Sequence, residues 1–410
     1  MLLNQDLFCG VSAARGFLPC QDPLLVLPPV SILNIRLNDI AKDLPVLLSE
    51  KKLRLAIDAL NTEYPSAVIT LEEGDSQQKN VAILVLLMLA QAYVWESFSQ
   101  PANKIPAVLA KNLYAICQQD QRFPTLTYTD YILHNWQLKN INDPISLENI
   151  EPIYTFTGTD DEAWFIKVHV VIEAVCGKAL SSARKIYSLA EQLLVKNRYS
   201  PEFDQEKIFL MLLNDISGSL QEATLVLDRM TEYCRPDYFW NILRLYLNGW
   251  EKVNVLDQIG VSFDDVPTKD KVPVHKYRGA SGAQSSIIPA LDATLGIKHE
   301  IDGMFQTLLM FKHYMPIEHQ IFIGILSRSK VRQVIKLSES LELRYAWEHA
   351  INQIKLFRQA HMKLISQYIY QAAGQQGINA SEITGTGGTK IDDYLSARKK
   401  STENTIETLA

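Results

Sequence analysis

The chain lacks the signatures that announce most metal and nucleotide chemistry. Its five cysteines, Cys9, Cys20, Cys117, Cys176 and Cys234, lie far apart with no CxxC or CxxCH pair. That excludes a zinc ribbon and covalently attached haem, and suits a reducing, cytosolic setting. There is no HExxH, and the six-residue step from His313 to His319 does not align two ligands on a helix. "GTGGTK" lacks the Gly-Lys-Ser/Thr ending of a phosphate loop, because Thr389-Lys390-Ile391 breaks it. Charge of one sign is nowhere concentrated: 40 basic and 46 acidic residues give a net charge of −6 without a long block. This argues against a nucleic-acid groove or a polybasic membrane surface. The longest apolar run, Val81 to Ala90, is too short to span a bilayer and is followed by Gln91, and the N-terminus lacks the blocks of a signal peptide. The expectation is a cytoplasmic protein with small partners, bound to neither nucleic acid nor membrane.

What is present is apolar residue at helical spacing. With 410 residues and 47% hydrophobic content the chain can bury a sizeable core. The first 35 residues, with "RGFLPCQDPLLVLPP", read as an extended arm. Helical patterns follow from about Ile40. The polar stretch "KNINDPISLENIEPIYTFTGTDDE" marks a boundary, dividing a small N-terminal helical domain, 1–156, from a larger one, 157–410. In the second, helices are expected around 163–196, 203–232, 236–250, 300–313, 317–336 and 340–373. Few segments alternate with period two, so the class is all-α.

Two of the eight histidines stand out by position. Ile354, Phe357, His361, Leu364 and Tyr368 recur at steps of three and four, as do Phe165, His169, Ile172 and Cys176, so each histidine lies on an apolar helical face. Either is a core histidine bonded to a carbonyl, or an imidazole facing the apolar slot that a haem needs. The other histidines read as surface or loop residues. In "DYFWNILRLYLNGW" the α-helical register puts Trp240, Arg244 and Leu247 on one face, and Arg244 is the only charge between Asp237 and Glu251. Such an arginine pairs with an internal carboxylate or waits for an anionic ligand. The loops "RGASGAQSS" and "TGTGGT" are connections, or sources of backbone amides for a carboxylate.

In sum the chain resembles the indoleamine 2,3-dioxygenases almost end to end. The resemblance is carried by "GFLP", "LPP", "AYVW", "YTDYILHNW", "VIEA", "FWNILRLYLNGW", "SGAQSS", "LDATLGI", "YMPIEHQIF", "RQAHMKLISQYI" and "GTGGT", in order. It implies a small helical domain and a large helical domain that holds haem b, active with ferrous iron. It implies oxidative opening of the indole ring of L-tryptophan by O2 to N-formylkynurenine, the first step of the kynurenine pathway, with an electron donor to reduce the haem. His361 falls on the family's proximal iron ligand, and Arg358 with Asp292 on a pair beside a haem propionate. Phe239 and Arg244 match the substrate phenylalanine and the arginine that meets the tryptophan carboxylate, with Trp240 adjoining. Tyr128 and Tyr131 fall in the segment lining the indole pocket, Ser281 in the loop over the distal haem face, and Thr386 on a threonine that helps enclose the substrate.

His169 departs from the animal members, which have serine there; tryptophan 2,3-dioxygenases use a distal histidine. It would accept a hydrogen bond from the indole N–H or bind iron in the resting protein. Two rivals stand beside the dioxygenase: an O2 carrier of the myoglobin kind built on this fold, and a haem-free interaction module. Arg244 and Thr386 argue against both, because a carrier has no use for an amino-acid clamp.

Overall fold

The computed structural model describes residues 10–195, 198–199, 201, 204–255, 258–266, 274–299, 309–378, 383 and 405. Helices dominate the described residues. The named strands among the described residues are two residues long and form four two-stranded ladders. The all-α expectation holds.

The N-terminal arm is shorter than the sequence suggests. Ser31 opens helix Ile32–Lys42 by accepting the Asn34 amide on Oγ at 3.2 Å, so helix begins before residue 35. Ahead of it the proline-rich stretch runs over the protein and buries Leu18 and Leu27 completely. Helix Ser76–Trp95 is started by Asp75, whose carboxylate accepts from the amides of Gln77 and Gln78. It extends well beyond the apolar run at its centre and is long and apolar enough to cross a bilayer by length and composition; 83% of its most apolar window is buried in protein. Gln91 uses its amide for three hydrogen bonds: Nε2 donates to the carbonyls of Tyr246 and Asn248, and Oε1 accepts from Trp250 Nε1 at 2.9 Å. This oily helix therefore fixes the segment that carries Arg244.

The long pattern at 163–196 is two helices, Asp160–Val175 and Gly177–Leu193. The arm crosses at the break. A Cβ on Gly177 would lie 2.6 Å from both the Ala13 carbonyl oxygen and the Gly16 nitrogen, which only glycine avoids. Helix Gln205–Asp228 packs against Gly177–Leu193 and against the long helix Leu341–Ile365. The pattern at 317–336 also divides, into Ile317–Leu326 and Val331–Leu337. Residues 300–308 of the expected helix 300–313 lie outside the described residues. One cluster of buried apolar side chains runs from Val11 to Ile383, so the segments 1–156 and 157–410 share a core.

Candidate active site

A cavity of about 970 Å³ opens between helix Asp160–Val175, the Phe239–Leu247 segment, the 280–285 loop, helix Ile287–Leu295 and helix Leu341–Ile365. That is the upper end of the roughly 300–1,000 Å³ range for small-molecule and cofactor sites. Its wall is mainly apolar, with a few polar groups placed among aromatic and aliphatic side chains.

From helix Leu341–Ile365 the cavity receives Phe357, Arg358, His361 and Leu364. Burial pushes the His361 imidazole down to about 4, with a smaller push from neighbouring His169. The ring is therefore neutral at neutral pH and carries the lone pair a metal requires. One turn earlier Arg358 Nη2 meets Asp292 Oδ2 at 2.5 Å and His299 Nε2 reaches the same oxygen at 2.8 Å. Burial alone would raise the Asp292 carboxyl; Arg358 and His299 outweigh it and hold it below the usual range.

The facing wall is aromatic. Phe165 stacks near Phe239 with ring centres 5.4 Å apart and lies 4.4 Å from the ring of His169. His169 Nδ1 is 2.7 Å from the Phe165 carbonyl oxygen. A carbonyl only accepts, so Nδ1 carries the proton and Nε2 is left as the acceptor of a neutral ring. Burial lowers the His169 pKa and favours that neutral form. Tyr128 stands edge-on to His169 at 6.0 Å. Ser281 opens the turn Gly282–Gln284, its Oγ accepting from the Ala283 amide at 3.3 Å, and Gln284 Oε1 accepts from the Tyr128 amide at 2.9 Å.

Arg244 reaches the cavity through an irregular turn. Residues five apart on an α-helix stand about 140° apart around the axis, which would keep Phe239 and Arg244 on different faces. Phe239–Leu243 is π-helical; the wider i→i+5 turn narrows that angle, and both side chains line the cavity. Phe239 thereby joins Arg244 and Leu247 on the cavity wall, the place the family resemblance gave it. Trp240 instead lies under the guanidinium, 3.9 Å from ring centre to Cζ, and donates Nε1 to Gln376. Burial lowers the Arg244 pKa to about 10, which leaves it cationic at neutral pH.

Tyr128, His169, Phe239 and Arg244 thus meet Ser281, Asp292, Arg358 and His361 around one space. Tyr131 does not join them. It is buried behind the cavity, stacked on Phe156, with its hydroxyl donated to Glu162 Oε1 at 2.7 Å. Thr386 lies outside the described residues. His319, read as a surface or loop residue, is buried against Phe17 and bonded to Ser286.

Three residues of this region escaped the sequence reading. Glu173 is fully buried one turn beyond His169, accepting on Oε1 from Tyr128 at 3.0 Å and Ser285 at 2.9 Å, while Oε2 has no hydrogen-bond partner among the described residues. Burial pushes its carboxyl up to about 7. Ser285 belongs to the cavity lining, and so does His299. The i, i+4 step from His169 was the available signal for Glu173; for His299 the helix ends at Gly296, so its approach to Asp292 is not periodic.

The donor set fits a haem. Among the described residues no group of three or more His, Cys, Asp or Glu side chains stands ready to hold a bare metal ion. One neutral imidazole on an apolar slot suits an iron that brings its own ring of ligands, and the buried Asp292 Oδ1 and His299 Nδ1 have no hydrogen-bond partner among the described residues. A sequence model described as indoleamine 2,3-dioxygenase matches residues 8–405. Indoleamine 2,3-dioxygenase 1 of Rattus norvegicus is 28% identical over 382 residues, covering 90% of this chain and 88% of the rat protein. Indoleamine 2,3-dioxygenase nanC of Aspergillus nanangensis is 29% identical over 413 residues, 97% and 96% of the two chains. Indoleamine 2,3-dioxygenase of Saccharomyces cerevisiae is 28% identical over 442 residues, 97% and 92% of the two chains. The chain belongs to the indoleamine 2,3-dioxygenase family of haem-dependent dioxygenases, which act on tryptophan or related indoles with O2.

Proposed function

We propose that this protein opens the indole ring of L-tryptophan to N-formylkynurenine, with His361 as the ligand that holds the haem iron. The observation that carries the reading is the meeting, in one cavity, of a neutral imidazole, an aromatic cleft and a buried cation. When bound, the haem supplies the ferrous iron at which dioxygen is activated. Arg244 takes the amino-acid carboxylate, and its desolvated position makes that contact stronger than it would be in water. Phe165 and Phe239 hold the ring flat, so the substrate arrives oriented and the entropy of positioning is met before reaction. His169 offers Nε2 to the indole N–H, which favours an unsubstituted ring. No protein base is required if both oxygen atoms add across the C2–C3 bond; the chain binds, orients and excludes water.

The test is direct. The haem protein is reduced, L-tryptophan and air are added, and the product is sought by mass spectrometry. N-formylkynurenine is expected, with 1-methyl-tryptophan turned over more slowly. Reversible O2 binding with tryptophan left intact would make the protein an oxygen carrier instead.

A further inference from the structure

At one end of the cavity Asp292 accepts two donors on the same oxygen, Arg358 Nη2 and His299 Nε2. The guanidinium and the carboxylate cancel in charge. Taken alone, they give a buried end no net attraction for a further anion. Yet haem carries two carboxylates, and burying one beside a neutral pair would leave an uncompensated negative charge.

His299 is placed to remove that deficit. Gly296 ends helix Ile287–Leu295 with φ +76° and turns the chain back along the cavity. The His299 side chain is 12% exposed and lines the cavity. With Nε2 turned to Asp292, its second nitrogen, Nδ1, is buried and has no hydrogen-bond partner among the described residues. The cations Lys298, Lys312, Lys330, Arg332 and Lys336 also line the cavity, but none is buried, and solvent screens their attraction.

We propose that His299 binds a carboxylate of the haem, donating Nδ1–H to it as an imidazolium while Nε2–H stays on Asp292. The proposal rests on the haem reading above and deepens it. Arg358, Asp292, His299 and the carboxylate then sum to zero charge, and the open nitrogen is satisfied. Neither composition nor helical spacing marks this residue, because the chain reaches it through a glycine turn.

The experiment measures haem release from the holoprotein to excess apomyoglobin, for the wild type and His299→Gln, each loaded with haem or with its dimethyl ester. Glutamine keeps a donor for Asp292 but has no charge. With haem, His299→Gln is expected to release at least about tenfold faster, the low end for a hydrogen bond to a charged group. With the ester, the two proteins should release at the same rate. His299→Arg, which keeps a cation, should retain haem far better than the glutamine variant, and it serves if that variant does not fold. Equal rates for wild type and His299→Gln with haem would overturn the proposal. So would the same acceleration with haem and ester, which would show His299 to be only a support for Asp292. A wild-type protein that takes up no haem would sink the functional reading itself, a result distinct from either.

Discussion

Helices Ser76–Trp95 and Leu341–Ile365 are both long, and they are put to opposite uses. The first is apolar around its whole circumference, and every residue from Val81 to Ala92 is buried. The second buries Ile351 and Ile354 midway, and beyond them Phe357, Arg358 and His361 open onto a cavity. A helix that closes its entire surface makes core. One whose inner face passes from aliphatic residues to a cation and an imidazole leaves a space that another molecule must fill. Backbone regularity follows the same division. The three π-helical segments among the described residues, Thr129–Leu133, Phe239–Leu243 and Ser366–Gln371, all contain or adjoin residues of the cavity wall, and Ser76–Trp95 has none.

If that contrast is right, substitutions in the two regions fail in different ways. His361→Ala carries the largest effect: the purified protein should lose its haem or the normal haem absorption spectrum, and an unchanged spectrum would put the ligand elsewhere. Arg244→Ala should lower kcat/KM by about thirty- to several-thousand-fold, equivalent to roughly 2–5 kcal/mol for breaking a desolvated charge contact. Steady-state kinetics with L-tryptophan check it, and the haem spectrum should not change. Leu87→Ala, in the closed helix, should cost about 2–5 kcal/mol of stability in denaturant unfolding. Its folded protein should keep normal haem and normal kcat/KM, and a selective loss of turnover would break the contrast.

Glu173→Gln sharpens the comparison most gently. The Glu173 carboxyl is raised from 4.5 to about 7 in the folded protein. The folded state therefore binds this proton more tightly, and the stability it contributes is complete below about pH 4.5 and lost as pH rises through about 7. Glutamine cannot ionise, so the variant should be more stable than the wild type at pH 8 by about 1–3 kcal/mol, the cost of a buried unsatisfied polar group. Urea unfolding at pH 5.5 and at pH 8 reads the difference; identical pH dependence in both proteins would remove Glu173 as a titrating group.

The helical class, and the candidate residues His361 and Arg244, were legible because each sits where 3.6-residue periodicity or an isolated charge in an aromatic run makes it conspicuous, whereas Arg358 was named only by the family resemblance. Three features were not legible, each for a separate reason. The break at Gly177 is imposed by backbone contact with Ala13 and Gly16, distant in sequence. The approach of Phe239 to the side of Arg244 comes from a π turn, which periodicity treats as ordinary helix, so Phe239 was named only by the family resemblance. Tyr131 turns away because Glu162 offers its hydroxyl a buried acceptor, a partner 31 residues along the chain.

A structure of the ferrous haem protein with L-tryptophan bound anaerobically gives the most direct test of the account. It predicts the iron bonded to His361, and the amino-acid carboxylate against Arg244 with the indole ring against the wall formed by Phe165, Phe239 and His169. Iron on another residue, or a tryptophan whose carboxylate lies away from Arg244, would contradict it.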